Sequence, residues 1–300
     1  MGPSEHSGRV IRPAQSGLLA LILGAVALGF APIFVRLSEV GPVATAFHRL
    51  ALSLPIFALL AWRHQGWRQG VPADKRVWLG CGLAGVFFAA DLSVWHVGIL
   101  LTSVANATLF TNLAPVFVTL GLWVIWGQQP RPRFVAALAV ALAGAVLLMG
   151  GSPILTPERL AGDGLSVLSG AFYGAYILTV GRLRPAVPTP VLMLWSGAFA
   201  SALVLMVALA LGETVLPQTM HGWAVLLALA LVSQVGGQGL IAWGLAHLPA
   251  SFGAVVLLLQ PMVAALVAWM LFGEALGLWE TLGAGVVLLG IHIAWKASRA

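Results

Sequence analysis

Arg49 and Asp91 stand deep inside apolar runs at residues 43–62 and 77–97, where an ionisable side chain is costly and usually faces a partner or a cavity. Arg49 lies six residues from one end of its run, and Asp91 lies six residues from the matching end of the next. At roughly 1.5 Å per residue, both sit about 9 Å below the same boundary. Equal depth on consecutive helices makes an ion pair the simplest reading. Such a pair could be a fixed strut between helices, a substrate-binding or gating pair, or the site of a proton-coupling carboxylate.

Neutral polar residues gather nearby. Trp95 follows Asp91 by one helical turn and shares its face. Asn106, Thr108 and Asn112 interrupt one run, Gln234 and Gln238 flank Gly236 and Gly237 in another, and Gln260 precedes Pro261. Tyr173 and Tyr176 lie inside a run where each hydroxyl needs a partner. Amides can be glue between membrane helices, and rings can simply pack. A cavity lined by Trp95, Tyr176, Asn106, Asn112, Gln234, Gln238 and Gln260 would instead suit an amphipathic or zwitterionic solute, because rings cover the apolar part while amides satisfy both carboxylate and ammonium. A phosphorylated metabolite would call for several cations, and Arg49 alone is available. Trp62, Trp67, Trp78, Trp126, Trp223, Trp279 and Trp295 sit near run ends, as an interfacial belt does. Pro32, Pro115 and Pro261 free carbonyls one turn earlier and are candidate hinges.

The elements that must position these groups are membrane helices. Sixty per cent of the residues are hydrophobic, 8% are charged and the mean hydropathy is +0.99. Soluble chains normally carry roughly 25% charged residues, because a folded surface must face water. Ten apolar runs of spanning length follow one another: 16–36, 43–62, 77–97, 103–126, 133–151, 162–181, 190–211, 222–243, 249–271 and 278–296. Runs of this length are helices, since a β-barrel uses shorter, alternating segments. The fold class is an all-α membrane protein with no room for a soluble domain. A cleaved signal peptide at the first run is the alternative suggested by Arg9, Arg12 and the small triplet Ala25-Val26-Ala27, but that run extends to Val35.

With a cytoplasmic N-terminus, the inner segments collect Arg9, Arg12, Arg63, Arg68, Lys75, Arg76, Arg131, Arg133, Arg182, Arg184, Lys296 and Arg299. The outer side keeps Arg36 and Arg159 with Glu39, Glu158, Asp163, Glu213, Glu274 and Glu280. Positive charge marks the cytoplasmic side, so both termini are expected inside.

The second half repeats the first at an offset of 146 residues, pairing Gly24 with Gly170, Arg36 with Arg182, Pro115 with Pro261, Gly127 with Gly273 and Gly144 with Gly290. Five helices per half is an odd number, so the second copy enters the membrane upside down. Inverted repeats of this kind build secondary transporters whose site lies at the interface of the halves. The expected divisions are an N-terminal tail at 1–15, a first repeat at 16–151, a connection at 152–161, a second repeat at 162–296 and a tail at 297–300.

Leu101 to Gly151, with Thr102-Ser103-Val104-Ala105-Asn106-Ala107 leading to Pro115 and a glycine-rich helix, resembles the EamA domain of the drug/metabolite transporter superfamily. Ala250 to Trp295, with Gln260-Pro261 and Phe272-Gly273-Glu274, resembles a second copy. The resemblance covers nearly the whole chain. It implies a 5+5 inverted arrangement in a bacterial cytoplasmic (inner) membrane and export of small metabolites, with most similarity to aromatic amino-acid exporters. Gln128 stands where the first copy would carry an acid, while Glu274 keeps it in the second. A drug or organic-cation exporter of the same fold and a channel-like facilitator are the alternatives.

Other chemistries lack their residues. One cysteine excludes a disulfide scaffold or Cys-based cluster, and the seven histidines show no HExxH spacing. No GxSxG or Walker A sequence supports a hydrolase or a primary pump. The basic residues are scattered rather than clustered, so nucleic acid is not an expected partner. The expected partners are a small-molecule substrate and the lipid bilayer, with no metal or cofactor, and a monomer or weak homodimer as the assembly.

Overall fold

The computed structural model describes residues 13–65, 72, 74–102, 104–149, 157–273 and 277–299. Glu274, the N-terminal Arg9 and Arg12, Trp67, Arg68 and residues 152–156 of the expected 152–161 connection lie outside the described residues, as does the side chain of Asn106. Nine segments among those described are helical, long and apolar enough to cross a membrane: Ala14–Leu37, Pro42–Arg63, Lys75–Gly98, Ala107–Trp126, Pro157–Leu183, Thr189–Ala210, Met220–Gly244, Ala250–Phe272 and Leu278–Ser298. A further apolar helix, Pro132–Leu148, has 17 residues. Leu79, Leu100, Val124, Ile125 and Met270 point outward. In water so many apolar side chains would drive aggregation; in lipid they are the solvated face.

Proline divides several spans in two. The first comprises α1 (Pro13–Gly29) and α2 (Ala31–Leu37), broken just ahead of Pro32. The second comprises α3 (Pro42–Ala51) and α4 (Leu54–Gln65), broken ahead of Pro55. Helix α5 (Lys75–Leu101) is continuous. Helices α6 (Val104–Thr111) and α7 (Ala114–Trp126) meet ahead of Pro115, and α8 (Pro132–Leu148) completes the first half. In each case the ring nitrogen cannot donate to the carbonyl one turn back, so the chain restarts a helix at the proline.

After a 3₁₀ turn at Pro157–Arg159, α9 (Leu160–Leu183) and α10 (Thr189–Ala210) are continuous. Helix α11 (Met220–Ala228) passes through a π-helical stretch, Leu229–Gln238, into α12 (Gly239–Gly244). Helices α13 (Ala250–Val256) and α14 (Leu259–Phe272) are separated ahead of Pro261, and α15 (Leu278–Arg299) closes the bundle. Leu21 and Ala25 of α1 are fully buried against later helices, so the first run packs into the bundle.

Glycine sets how closely the two halves approach. A Cβ on Gly144 would meet the Val287 nitrogen at 2.5 Å, and one on Gly290 would meet the Ala141 nitrogen at 2.6 Å. Position rises on α8 as it falls on α15, so these helices run antiparallel. Each contact becomes the other under the 146-residue offset. The same exchange relates two cation–π contacts between the halves. The Arg36 guanidinium lies 4.2 Å from the Phe272 ring centre, and that of Arg182 lies 4.7 Å from the Trp126 ring centre. Gly127 and Gly273, also related by the offset, end α7 and α14 at φ of +68° and +67°, where any other residue would be strained.

Crowding at the α8–α15 seam gives a testable outcome. Gly144→Val should destabilise the protein by about 1–3 kcal/mol, the range for overpacking a close contact. Gly285→Ala should be nearly neutral, because a Cβ there meets nothing within 4 Å. Thermal unfolding in detergent measures both, and equal effects would show that the seam is not tight.

Candidate functional site

A cavity of about 160 Å³ lies where the broken helices meet. Pro32 and Val35 on α2, Arg49 on α3, Asn112 at the α6–α7 break, and Gln260 and Pro261 on α14 line one part of it. Phe88, Asp91, Trp95 and His96 on α5, Thr108 and Thr111 on α6, and Tyr173 on α9 line the rest. Broken helices leave backbone polar groups without intrahelical partners, which membrane proteins tolerate where they border a cavity.

The two charges share this cavity, but their hydrogen bonds go elsewhere. Arg49 donates from Nε to Gln234 Oε1 at 2.9 Å, and its guanidinium lies 5.7 Å from the Phe88 ring centre. Asp91 Oδ1 accepts from the Ser169 hydroxyl at 2.6 Å. Arg49 and Asp91 are within electrostatic reach, yet no direct bond joins them among the described residues. The direct ion pair read from equal depth is therefore corrected. Depth puts both groups in one layer, while the helices turn them toward partners from the other half of the chain.

Three of the expected lining residues stand behind the wall. Tyr176 is 1% exposed and stacks on Phe88 at 4.6 Å, so Tyr173 presents its ring to the cavity instead. Gln234 is buried and holds Arg49. Gln238 is buried close to both phenols but falls short of hydrogen-bond geometry with either. Trp95, Asn112 and Gln260 do line the cavity, as do Pro32 and Pro261, whereas Pro115 is buried away from it. Phe88 and His96 also line it and are not legible in the sequence, because a lone phenylalanine or histidine in an apolar run carries no spacing signal.

At one end of the bundle, loops from the two halves are tied together. Glu213 accepts from the backbone of Val43 and Ala44, at 3.2 and 2.7 Å, capping the start of α3. Glu39 accepts from the hydroxyl and the backbone nitrogen of Thr219. The hydroxyl bond, with lesser backbone bonds, holds the Glu39 carboxyl below the ordinary carboxylate range.

The sequence model of the EamA-like transporter family matches this chain twice, over residues 15–150 and 160–295. The chain belongs to the EamA-like transporter family. An uncharacterized transporter of Archaeoglobus fulgidus is 27% identical over 287 residues, covering 95% of this chain and 98% of the relative. The uncharacterized transporter YwfM of Bacillus subtilis is 26% identical over 225 residues, covering 72% of this chain and 73% of YwfM. One solved crystal structure superposes with a TM-score of 0.78 at 19% identity, covering 95% of this chain and 98% of the other, a likeness of fold. This EamA-like transporter is thus a multi-pass membrane protein of a transport family. Its cavity, rather than a catalytic constellation, is where function is to be sought.

Proposed function

We propose that this EamA-like transporter is a secondary carrier that exports neutral amino acids, aromatic or large apolar, from the cytoplasm by alternating access. The chain is read as ten spans in a 5+5 inverted repeat, with α8 as the fifth and both termini cytoplasmic in a bacterial inner membrane. The antiparallel α8–α15 seam and the exchangeable contacts across it support the inversion. The Arg36–Phe272 and Arg182–Trp126 contacts are read as two clasps at opposite ends of the bundle, one closing each mouth.

The observation that carries the substrate reading is one arginine and one aspartate in the same cavity, each anchored by a different neutral partner. Arg49 suits a carboxylate and Asp91 an ammonium. Trp95, Phe88 and Tyr173 offer rings to an apolar side chain. The opposed charges favour a zwitterion over a phosphorylated solute. The cavity, of about 160 Å³, is bordered by these rings and both charges, so one solute could meet all of them.

Competition for uptake by protein in liposomes tests the reading. Phenylalanine, tryptophan, leucine and methionine are expected to inhibit, and a phosphorylated sugar is not. Inhibition by an organic cation or a phosphorylated sugar with none by these amino acids would overturn it. A pH gradient across the same vesicles shows whether protons are coupled.

A further inference from the structure

We infer that His96 makes a protonated primary amine a requirement for the cargo; this rests on the proposed reading of the cavity as the substrate site. His96 is 3% exposed and lines the cavity on α5. Its Nδ1 lies 2.6 Å from the Leu92 carbonyl oxygen, which can only accept. Nδ1 therefore carries the proton, and in the neutral ring Nε2 presents a lone pair. That nitrogen is buried with no hydrogen-bond partner among the described residues. The Trp95 ring, edge-on at 4.8 Å, fixes the imidazole plane.

A buried acceptor without a donor is costly. Nε2 has almost no accessible surface in this state, so a cargo group that satisfies it reaches it once the walls part. The carboxylate of Asp91, five residues earlier on the same helix, keeps acceptor capacity beyond its bond from Ser169. Two acceptors from one helix bordering one cavity, one of them anionic, match a cation with several N–H groups. The other wall offers Arg49 and the partnerless amide nitrogen of Asn112, both donors. The cargo is thereby oriented with its ammonium toward α5 and its carboxylate toward α3 and the α6–α7 break. Asp91 supplies charge attraction to any cation, whereas His96 adds a second acceptor that rewards N–H count. The site selects a primary ammonium over an alkylated one.

Binding to the purified protein by calorimetric titration tests this with phenylalanine, 2-phenylethylamine, 3-phenylpropionate and N,N-dimethylphenylalanine. Phenylalanine and 2-phenylethylamine are expected to bind, with 3-phenylpropionate and the dimethyl compound each about tenfold weaker or worse, the size of one lost buried hydrogen bond. His96→Phe should weaken the two primary amines about tenfold and leave 3-phenylpropionate unchanged. His96→Gln, whose amide oxygen can take the place of Nε2, should stay within about threefold of the natural protein. If 2-phenylethylamine binds in a His96-dependent way and phenylalanine does not, the role of His96 stands and the amino-acid reading falls. If neither amine binds, or if His96→Phe weakens 3-phenylpropionate as much as phenylalanine, the inference is overturned. Should His96→Phe fail to fold, the natural protein decides: equal affinity for phenylalanine and its dimethyl derivative overturns the role of His96.

Discussion

Asp91→Asn and Arg49→Gln are each expected to lower transport roughly 30-fold or more, and combining them is not expected to restore it. Each charge is read as holding a different end of the cargo, and truncating one partner of a buried, hydrogen-bonded charge pair commonly costs 2–5 kcal/mol, or about 30- to several-thousand-fold. Stability should behave differently. A single change leaves the opposite charge in the cavity without its counterpart, while the double change removes both. Thermal unfolding of the double variant is therefore expected to lie closer to that of the natural protein than either single variant does. Flux in liposomes beside thermal unfolding separates the two roles. Transport restored in the double variant would return the pair to a structural strut, and unaltered transport by Asp91→Asn would remove the ammonium end of the site.

The sequence was most informative where residue type alone carries the signal. Apolar runs bounded by charge marked the helices, and the recurrence of Gly127 as Gly273 and of Arg36 as Arg182 exposed the repeat. It revealed which positions correspond but not which ones touch, so the contacts of Arg36 with Phe272 and of Arg182 with Trp126 had to come from the structure. Azimuth was the main loss. Tyr173 and Tyr176 are three residues apart, about 300° around a helix, and nothing in the text says which of these neighbouring faces meets the cavity. The π-helical stretch Leu229–Gln238 gave no signal beyond its glycines, yet its altered winding places Gln234 and Gln238 behind the wall. Pro55 gives no separate signal because its run reads as evenly apolar, although the second span breaks there just as the first breaks at Pro32.

The second large effect concerns the clasps. A cation–π contact contributes about 0.5–2 kcal/mol, so removing one should shift the balance between two nearly isoenergetic states by roughly two- to thirtyfold. Arg36→Ala should favour the state open at the Arg36 end, and Arg182→Ala the state open at the other. The two contacts exchange under the repeat offset, so their effects should be of comparable size and opposite sign. A rigid bundle or an always-open pore would show no such opposition.

The most direct measurement of alternation is the rate at which a membrane-impermeant maleimide, applied from the Arg36 side, modifies a cysteine at the cavity position Ala264→Cys. Cys81, the one native cysteine, is fully buried and should contribute little background. Modification should be faster in Arg36→Ala and slower in Arg182→Ala than with both clasps intact, and reagent applied from the opposite side should reverse the order. If both substitutions change the rate in the same direction from both sides, or change it from neither, the two halves do not alternate around this cavity.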